Sequence, residues 1–357
     1  MTRLDRARAK LEEKGFDALY ISSEINQRYV TDFSYTDGSV LITRGKSYVI
    51  TDFRYLEAAK KNVVGDYEII TQPGAGGNYL YDLCRENDVK TLAFEDGSIS
   101  YADYMSLKGR LSGIELVPAG GFIEGLRMFK EPGEVENIIK AQRIAERAFA
   151  ELIPEIRRGM YETELALELE YKMRKLGAED KSFETIAVSG SASALPHGVP
   201  RPQPIEDGFF TFDFGALVNG YHSDMTRTIV IGKADDEMKR LYNTVLEAQL
   251  AAEAVITEGY RNSDADKTAR DIIENAGYLG CFGHSLGHGV GLEIHEGPRL
   301  AGGTGDAVLK AGQVVTVEPG IYIEGKYGCR IEDMMLITEG GAELLTDCPK
   351  ELIEIDI

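Results

Sequence analysis

The stretch FFTFDFGALVNGYHSDMTRTIVI, Phe209–Ile231, decides how this chain is read. Phe209, Phe210, Phe212 and Phe214 favour a strand, Asn219-Gly220 is a strong two-residue hairpin signal, and Tyr221 to Ile231 returns rich in Thr, Ile and Val. With Asn219 and Gly220 as the loop, Asp213 falls opposite Thr226, and strand alternation puts Asp213, Asp224 and Thr226 on one face. Carboxylates so close on a pleated surface repel each other unless one is protonated or a cation sits between them, and the second option is a metal site. The plain alternative is a solvated hairpin with two surface acids, and the aromatic neighbours argue against it.

Outward from this hairpin the pattern occurs twice. Glu134 to Arg157 reads as an amphipathic helix, Gly159 breaks the chain, and a second helix runs from Glu162 to Leu176 before the hairpin. After it, Asp236 to Thr257 is a helix, Gly259 a break and Ser263 to Ala276 another helix. A second hairpin follows, entering at Val314 to Glu318 and leaving at Arg330 to Thr338 around a Gly325 to Gly328 turn. Two copies are too few for a solenoid, so the halves are expected to pack about a pseudo-twofold axis with their hairpins side by side. Glu318 and Glu332 lie equally far from position 325 and should point the same way, although Pro319 predicts an irregular strand after Glu318.

Between the hairpins, the Gly-rich stretch Phe282 to Pro298 holds three of the five histidines, His284, His288 and His295. Any one of them alone reads as a solvated loop residue; three together point elsewhere. Imidazole and carboxylate ligands suit manganese, cobalt, iron or zinc, and the absence of Cys from these motifs argues against a structural zinc knot.

The first segment alternates short helices and strands. Helices are expected at Met1 to Lys14, Arg54 to Asn62, Tyr79 to Glu86 and Tyr101 to Leu111. Strands are expected at Ala18 to Ser22, Val40 to Thr43, Tyr48 to Thr51, Tyr67 to Thr71, Thr91 to Phe94 and Glu115 to Pro118. This is an α/β pattern. Gly120-Gly121 and Lys130-Glu131-Pro132-Gly133 bracket the boundary, with Ile123 to Met128 as connector, which predicts domains at 1–127 and 128–357. The Gly74 to Gly77 run lacks the Lys-Ser/Thr ending of a phosphate loop and reads as an ordinary loop.

A chain of 357 residues with 43% apolar content can fill its cores without disulfides. Its net charge of -20 excludes nucleic acid and anionic membranes as expected partners, since both demand basic patches. Cys84, Cys281, Cys329 and Cys348 show no paired short spacing. Met1 to Tyr20 contains no signal-peptide core, and no stretch approaches the roughly 20 apolar residues that span a bilayer, so the expected compartment is the cytoplasm.

These motifs together resemble one family. Asp213; Asp224 within Gly220-Tyr221-x-Ser223-Asp224-x-Thr226-Arg227; His288 within Gly287-His288-Gly289-Val290-Gly291-Leu292-Glu293-Ile294-His295-Glu296; Glu318 in Val317-Glu318-Pro319-Gly320; and Glu332 in Arg330-Ile331-Glu332-Asp333 resemble the prolidase and aminopeptidase P metallopeptidases. Thr51-Asp52-Phe53-Arg54-Tyr55 is similar to that family's N-terminal domain, so the likeness covers nearly the whole chain. It implies an α/β N-terminal domain and an α+β C-terminal pita-bread domain with an internal pseudo-twofold repeat, binding two divalent ions. Manganese or cobalt is the expected metal, with zinc and iron as further candidates. By resemblance, Asp213 would chelate one ion, Asp224 and Glu332 would bridge both, and His288 and Glu318 would complete the other. Glu318 would also shuttle a proton in an attack by metal-activated water. His197, in Leu195-Pro196-His197-Gly198, and His295 would hydrogen-bond the substrate and the developing negative charge, and His284 would line a proline subsite. Arg330 should share the face of Glu332, where it would orient a carboxylate or meet the substrate's negative end. Thr226 would hydrogen-bond a ligand carboxylate. His222 stays unassigned.

The activity implied is hydrolysis of Xaa-Pro bonds in di- or oligopeptides by a homodimer. A dipeptidase is the first reading, and an aminopeptidase acting on longer peptides the second. Methionine aminopeptidases would not carry such a first domain, and creatinases would lack the metal ligands. A non-catalytic peptide binder with this fold is the remaining alternative, and it would be expected to have lost a ligand.

Overall fold

The alternating first segment builds a six-stranded sheet. Its order is Glu68–Thr71, Ser47–Thr51, Gly38–Thr43, Ala18–Ile21, Thr91–Phe94 and Glu115–Pro118. Gly38–Thr43 and Ser47–Thr51 form the expected hairpin, and the Thr91–Phe94 strand runs parallel to both of its neighbours. Helix Glu24–Thr31 has no apolar signature in the sequence because Asn26, Gln27 and Thr31 are among the side chains it buries. Ser23 caps it, accepting a hydrogen bond from the Asn26 amide. The computed structural model describes residues 1–72 and 78–357, so the Gly74 to Gly77 run lies outside the described residues. Contacts group the chain into two units, Met1–Arg127 and Met128–Ile357.

In the second unit two helix pairs repeat, Pro132–Leu152 with Glu162–Lys175 and Asp236–Val255 with Asn262–Asn275. The first helix starts at Pro132 rather than Glu134, since the amide that proline lacks is unpaired in a first turn anyway. It stops at Leu152, short of the expected Arg157, because Pro154 converts the next residues to a 3-10 turn. Each half has its own apolar cluster. Ala145, Phe149, Leu165 and Leu169 pack on Phe212 and Phe214 in the first, and Leu241, Val245, Ala265 and Ile273 pack with Val315, Val317 and Ile337 in the second. Burial of each large side chain contributes about 1.5–3 kcal/mol, more than helix propensity supplies, so packing holds the helices in place.

The hairpins position the acids. Asn219 and Gly220 both have positive φ, 48° and 71°, which makes the tight turn that the sequence predicts. Asp213 pairs with Thr226 in the antiparallel ladder of Gly208–Phe214 and Met225–Ile231. The register runs on through Leu217 and His222, but the ladder itself is interrupted at Gly215 and at Ser223-Asp224. A Cβ on Gly215 would stand 1.8 Å from the Ser223 carbonyl oxygen, so only glycine permits the approach. The second hairpin behaves alike. Val317 pairs with Asp333 and Gly320 with Arg330, in one register centred on position 325, with the break at Glu318-Pro319 and Ile331-Glu332. The two hairpins touch through an isolated bridge between Thr226 and Glu332, whose amide donates to the Thr226 carbonyl at 3.1 Å.

Candidate metal centre

Because both ladders break at their acids, Asp224 and Glu332 leave the sheets and turn toward one point. One ligand atom each from Asp224, His288 and Glu332 lies within 4.8 Å of the others, and all three residues are buried. His288 sits on the Gly287–Gly289 strand, where a Cβ on Gly287 would meet the Thr316 carbonyl oxygen at 2.0 Å. Its Nε2 lies 3.5 Å from Asp224 and 3.4 Å from Glu318. Thr226 donates to Glu332 at 2.7 Å, and Thr316 donates to Glu318 at 3.4 Å, so one threonine from each half orients an acid of the second hairpin. Asp213 is held by Arg330.

The electrostatics call for a cation. Burial, followed by repulsion from neighbouring acids, raises Asp224 and Glu332 well above ordinary carboxylates, and burial pushes Glu318 up to about 8. Burial holds His288 down to about 4, so its ring is neutral. Since Nδ1 faces the Gly289 carbonyl at 3.1 Å it must be the donor, which leaves Nε2 as a lone pair aimed at carboxylate oxygens. Lone pairs facing lone pairs are relieved by protons on the carboxyls or by a cation between them. The second oxygen of Asp213, Oδ1, is buried with no hydrogen-bond partner among the described residues, as a metal-ligand atom would be. The donor set of carboxylates and one imidazole therefore fits divalent ions.

These groups line a cavity of about 700 Å³, together with His197, His284, His295 and Arg330. His197 and His295 are exposed to it, and the His295 ring stands 4.3 Å from that of His288. His284 has both nitrogens engaged, Nδ1 with the Ser285 carbonyl at 2.9 Å and Nε2 with the Tyr322 hydroxyl at 2.8 Å, so it can offer the cavity only its carbon edge. Arg330 is buried and donates to Asp213 at 2.6 Å, Thr226 at 3.0 Å and Tyr322 at 2.7 Å. Of the two roles its position suggested, orienting a carboxylate is the contact seen. His222 does not line the cavity; its Nδ1 lies 2.9 Å from the Ser182 hydroxyl. Tyr322 was missed by sequence reading, although it lies on the Gly320–Ile323 strand at the same alternation as Gly320 and Glu318. Apolar walls come from Phe183, Ile186, Leu167, Val199 and Ile294.

The chain and its fold are also similar to those of known proteins. Residues 136–339 match the model of metallopeptidase family M24, and residues 3–129 match the Creatinase/Prolidase N-terminal domain. The chain is 38% identical to a Xaa-Pro dipeptidase of Pyrococcus furiosus, over 98% of this chain and 99% of that one. The structure of a Xaa-Pro dipeptidase from Bacillus anthracis superposes with a TM-score of 0.95 at 44% identity, covering 99% of both chains. An X-Pro aminopeptidase from Thermotoga maritima gives 0.90 at 37% identity, covering 97% of this chain and 100% of that one.

Proposed function

Because the chain belongs to metallopeptidase family M24 and carries a Creatinase/Prolidase N-terminal domain, we propose that it is a Xaa-Pro dipeptidase that depends on two divalent cations. The observation that carries this reading is the convergence of Asp224, His288 and Glu332 within 4.8 Å in a cavity also lined by Asp213 and Glu318. Manganese or cobalt is the proposed metal, held by Asp213, Asp224, His288, Glu318 and Glu332. When bound, such a pair polarises a carbonyl and makes water acidic enough to react near neutral pH.

The chain's own residues do the rest. Glu318, ionised once cations are bound beside it, would accept the proton that water gives up and pass it to the departing prolyl nitrogen. Water thus adds across the C–N bond, with its oxygen on the carbonyl carbon and its proton on nitrogen. His197 and His295 donate hydrogen bonds to the oxygen on which negative charge develops. Arg330 keeps Asp213 fixed and in one orientation. The apolar walls and the carbon edge of His284 accept the proline ring. The same reading extends to a cytoplasmic homodimer with neither nucleic acid nor membrane as partner. It accords with the net charge of -20, and among the described residues no helix is long and apolar enough to cross a membrane.

The Thermotoga maritima likeness favours a second reading, release of the first residue from longer Xaa-Pro peptides. Protein stripped with chelator and resupplied with manganese or cobalt, assayed on Ala-Pro and on Ala-Pro-Ala, separates them. Cleavage of Ala-Pro alone fits the dipeptidase, and preference for Ala-Pro-Ala fits the aminopeptidase. Inactivity on both with every metal overturns the enzyme reading.

A further inference from the structure

Immediately after Glu332, the carboxylate of Asp333 is fully buried and paired with Arg227, itself only 3% exposed, at 2.7 Å. The other Asp333 oxygen accepts from Lys350 at 2.6 Å and Gln249 at 2.8 Å, and Lys350 reaches Glu253 at 2.7 Å. Two cations thus meet two carboxylates, and none of these side chains lines the cavity. Arg227 also donates to the carbonyls of Thr226 at 2.9 Å and Glu332 at 2.7 Å, and to those of Pro349 and Cys348 at 3.0 and 2.6 Å.

The place is informative. The ladder is broken at Ile331-Glu332, and the hairpins meet there through the isolated Thr226–Glu332 bridge and side-chain bonds rather than through a continuous ladder. Arg227 therefore donates to the Glu332 carbonyl at the point where the ladder is broken. Well-packed apolar side chains can stabilise a core as well as buried ion pairs do, so the buried Arg227–Asp333 pair, joined by the partly buried Lys350 and Glu253, points to a role in fixing geometry. Resting on the two-cation reading above, we propose that Asp333, clamped between Arg227 and Lys350, is a positioning residue that fixes the backbone at Thr226 and Glu332 and so sets how tightly the cations are held.

Wild type, Asp333→Asn, Lys350→Met and a core control, Ile273→Val, are each stripped by chelator and reloaded with manganese. Melting temperature is measured in both states and manganese affinity by calorimetry. In Asp333→Asn, affinity is expected to fall about 10–100-fold, as for lost partners of metal ligands, and the melting-temperature gain on reloading to shrink. Lys350→Met leaves the Arg227–Asp333 pair intact; it shows the same change in smaller degree and carries the test if Asp333→Asn does not fold. Ile273→Val, buried away from the ions, lowers both melting temperatures together and keeps wild-type affinity. Wild-type affinity in Asp333→Asn or Lys350→Met, with equal losses in both states, overturns the proposal. A wild type that neither binds manganese nor gains stability from it overturns instead the reading on which the proposal rests.

Discussion

Arg330 grips one oxygen of Asp213 at 2.6 Å and leaves the other, buried, with no hydrogen-bond partner among the described residues. The guanidinium fixes the carboxylate and leaves that oxygen's lone pairs unused in a residue that lines the cavity. Lysine carries the same charge but cannot reach Asp213, Thr226 and Tyr322 together. Arg330→Lys is therefore expected to lower kcat/KM and manganese affinity by about 10–100-fold, measured on Ala-Pro and by calorimetry. Unchanged values would remove Arg330 from the machinery.

Removing a ligand outright goes further. Asp213→Ala and His288→Ala should abolish turnover, with circular dichroism unchanged, because each deletes a donor without touching the helix cores. Full activity in either variant would refute the ligand assignment.

Stability of the chelated protein should depend on pH in a definite sense. Folding raises Glu318 from 4.5 to about 8, chiefly by burial. A carboxyl raised in this way stabilises the fold fully below its unfolded pKa, and that contribution is lost as pH climbs through the folded value. Part of the melting temperature should therefore be lost between about pH 4.5 and 8, and the loss should be smaller in Glu318→Gln. Manganese should reverse the trend, since its ligands bind deprotonated and release protons as it enters. Equal slopes in wild type and Glu318→Gln would contradict the assignment.

Gly215 tests the break in the first hairpin. An alanine there would place Cβ 1.8 Å from the Ser223 carbonyl oxygen, so backbone must move. Overpacking of this kind costs about 1–3 kcal/mol or more, and the movement displaces Asp213 and Asp224 together. Gly215→Ala should lose stability in denaturant melts and manganese affinity at once. Retained affinity would show that the acids do not depend on this kink.

The registers of both hairpins were legible because each follows from counting. Asn219-Gly220 sets the Asp213–Thr226 pair, and position 325 sets Val317 against Asp333 and Gly320 against Arg330, with Glu318 and Glu332 at the break between. The amphipathic helices were legible from their period; the largest shift of an end is at Arg157, where Pro154 stops the helix at Leu152, and the other ends move by at most two residues. Tyr322, Asp333 and Arg227 were not legible as a network, because their partners come from distant segments that no local pattern announces. Helix Glu24–Thr31 escaped because its buried face is partly polar.

The Thr226–Glu332 contact closes 106 residues of chain, a long-range event that local helix formation does not bring about. Cations can be gripped only after the two halves have docked, so their stabilisation arrives late along the folding route. They should accordingly slow unfolding while leaving the refolding rate nearly untouched, which makes the ions a kinetic latch on the finished molecule.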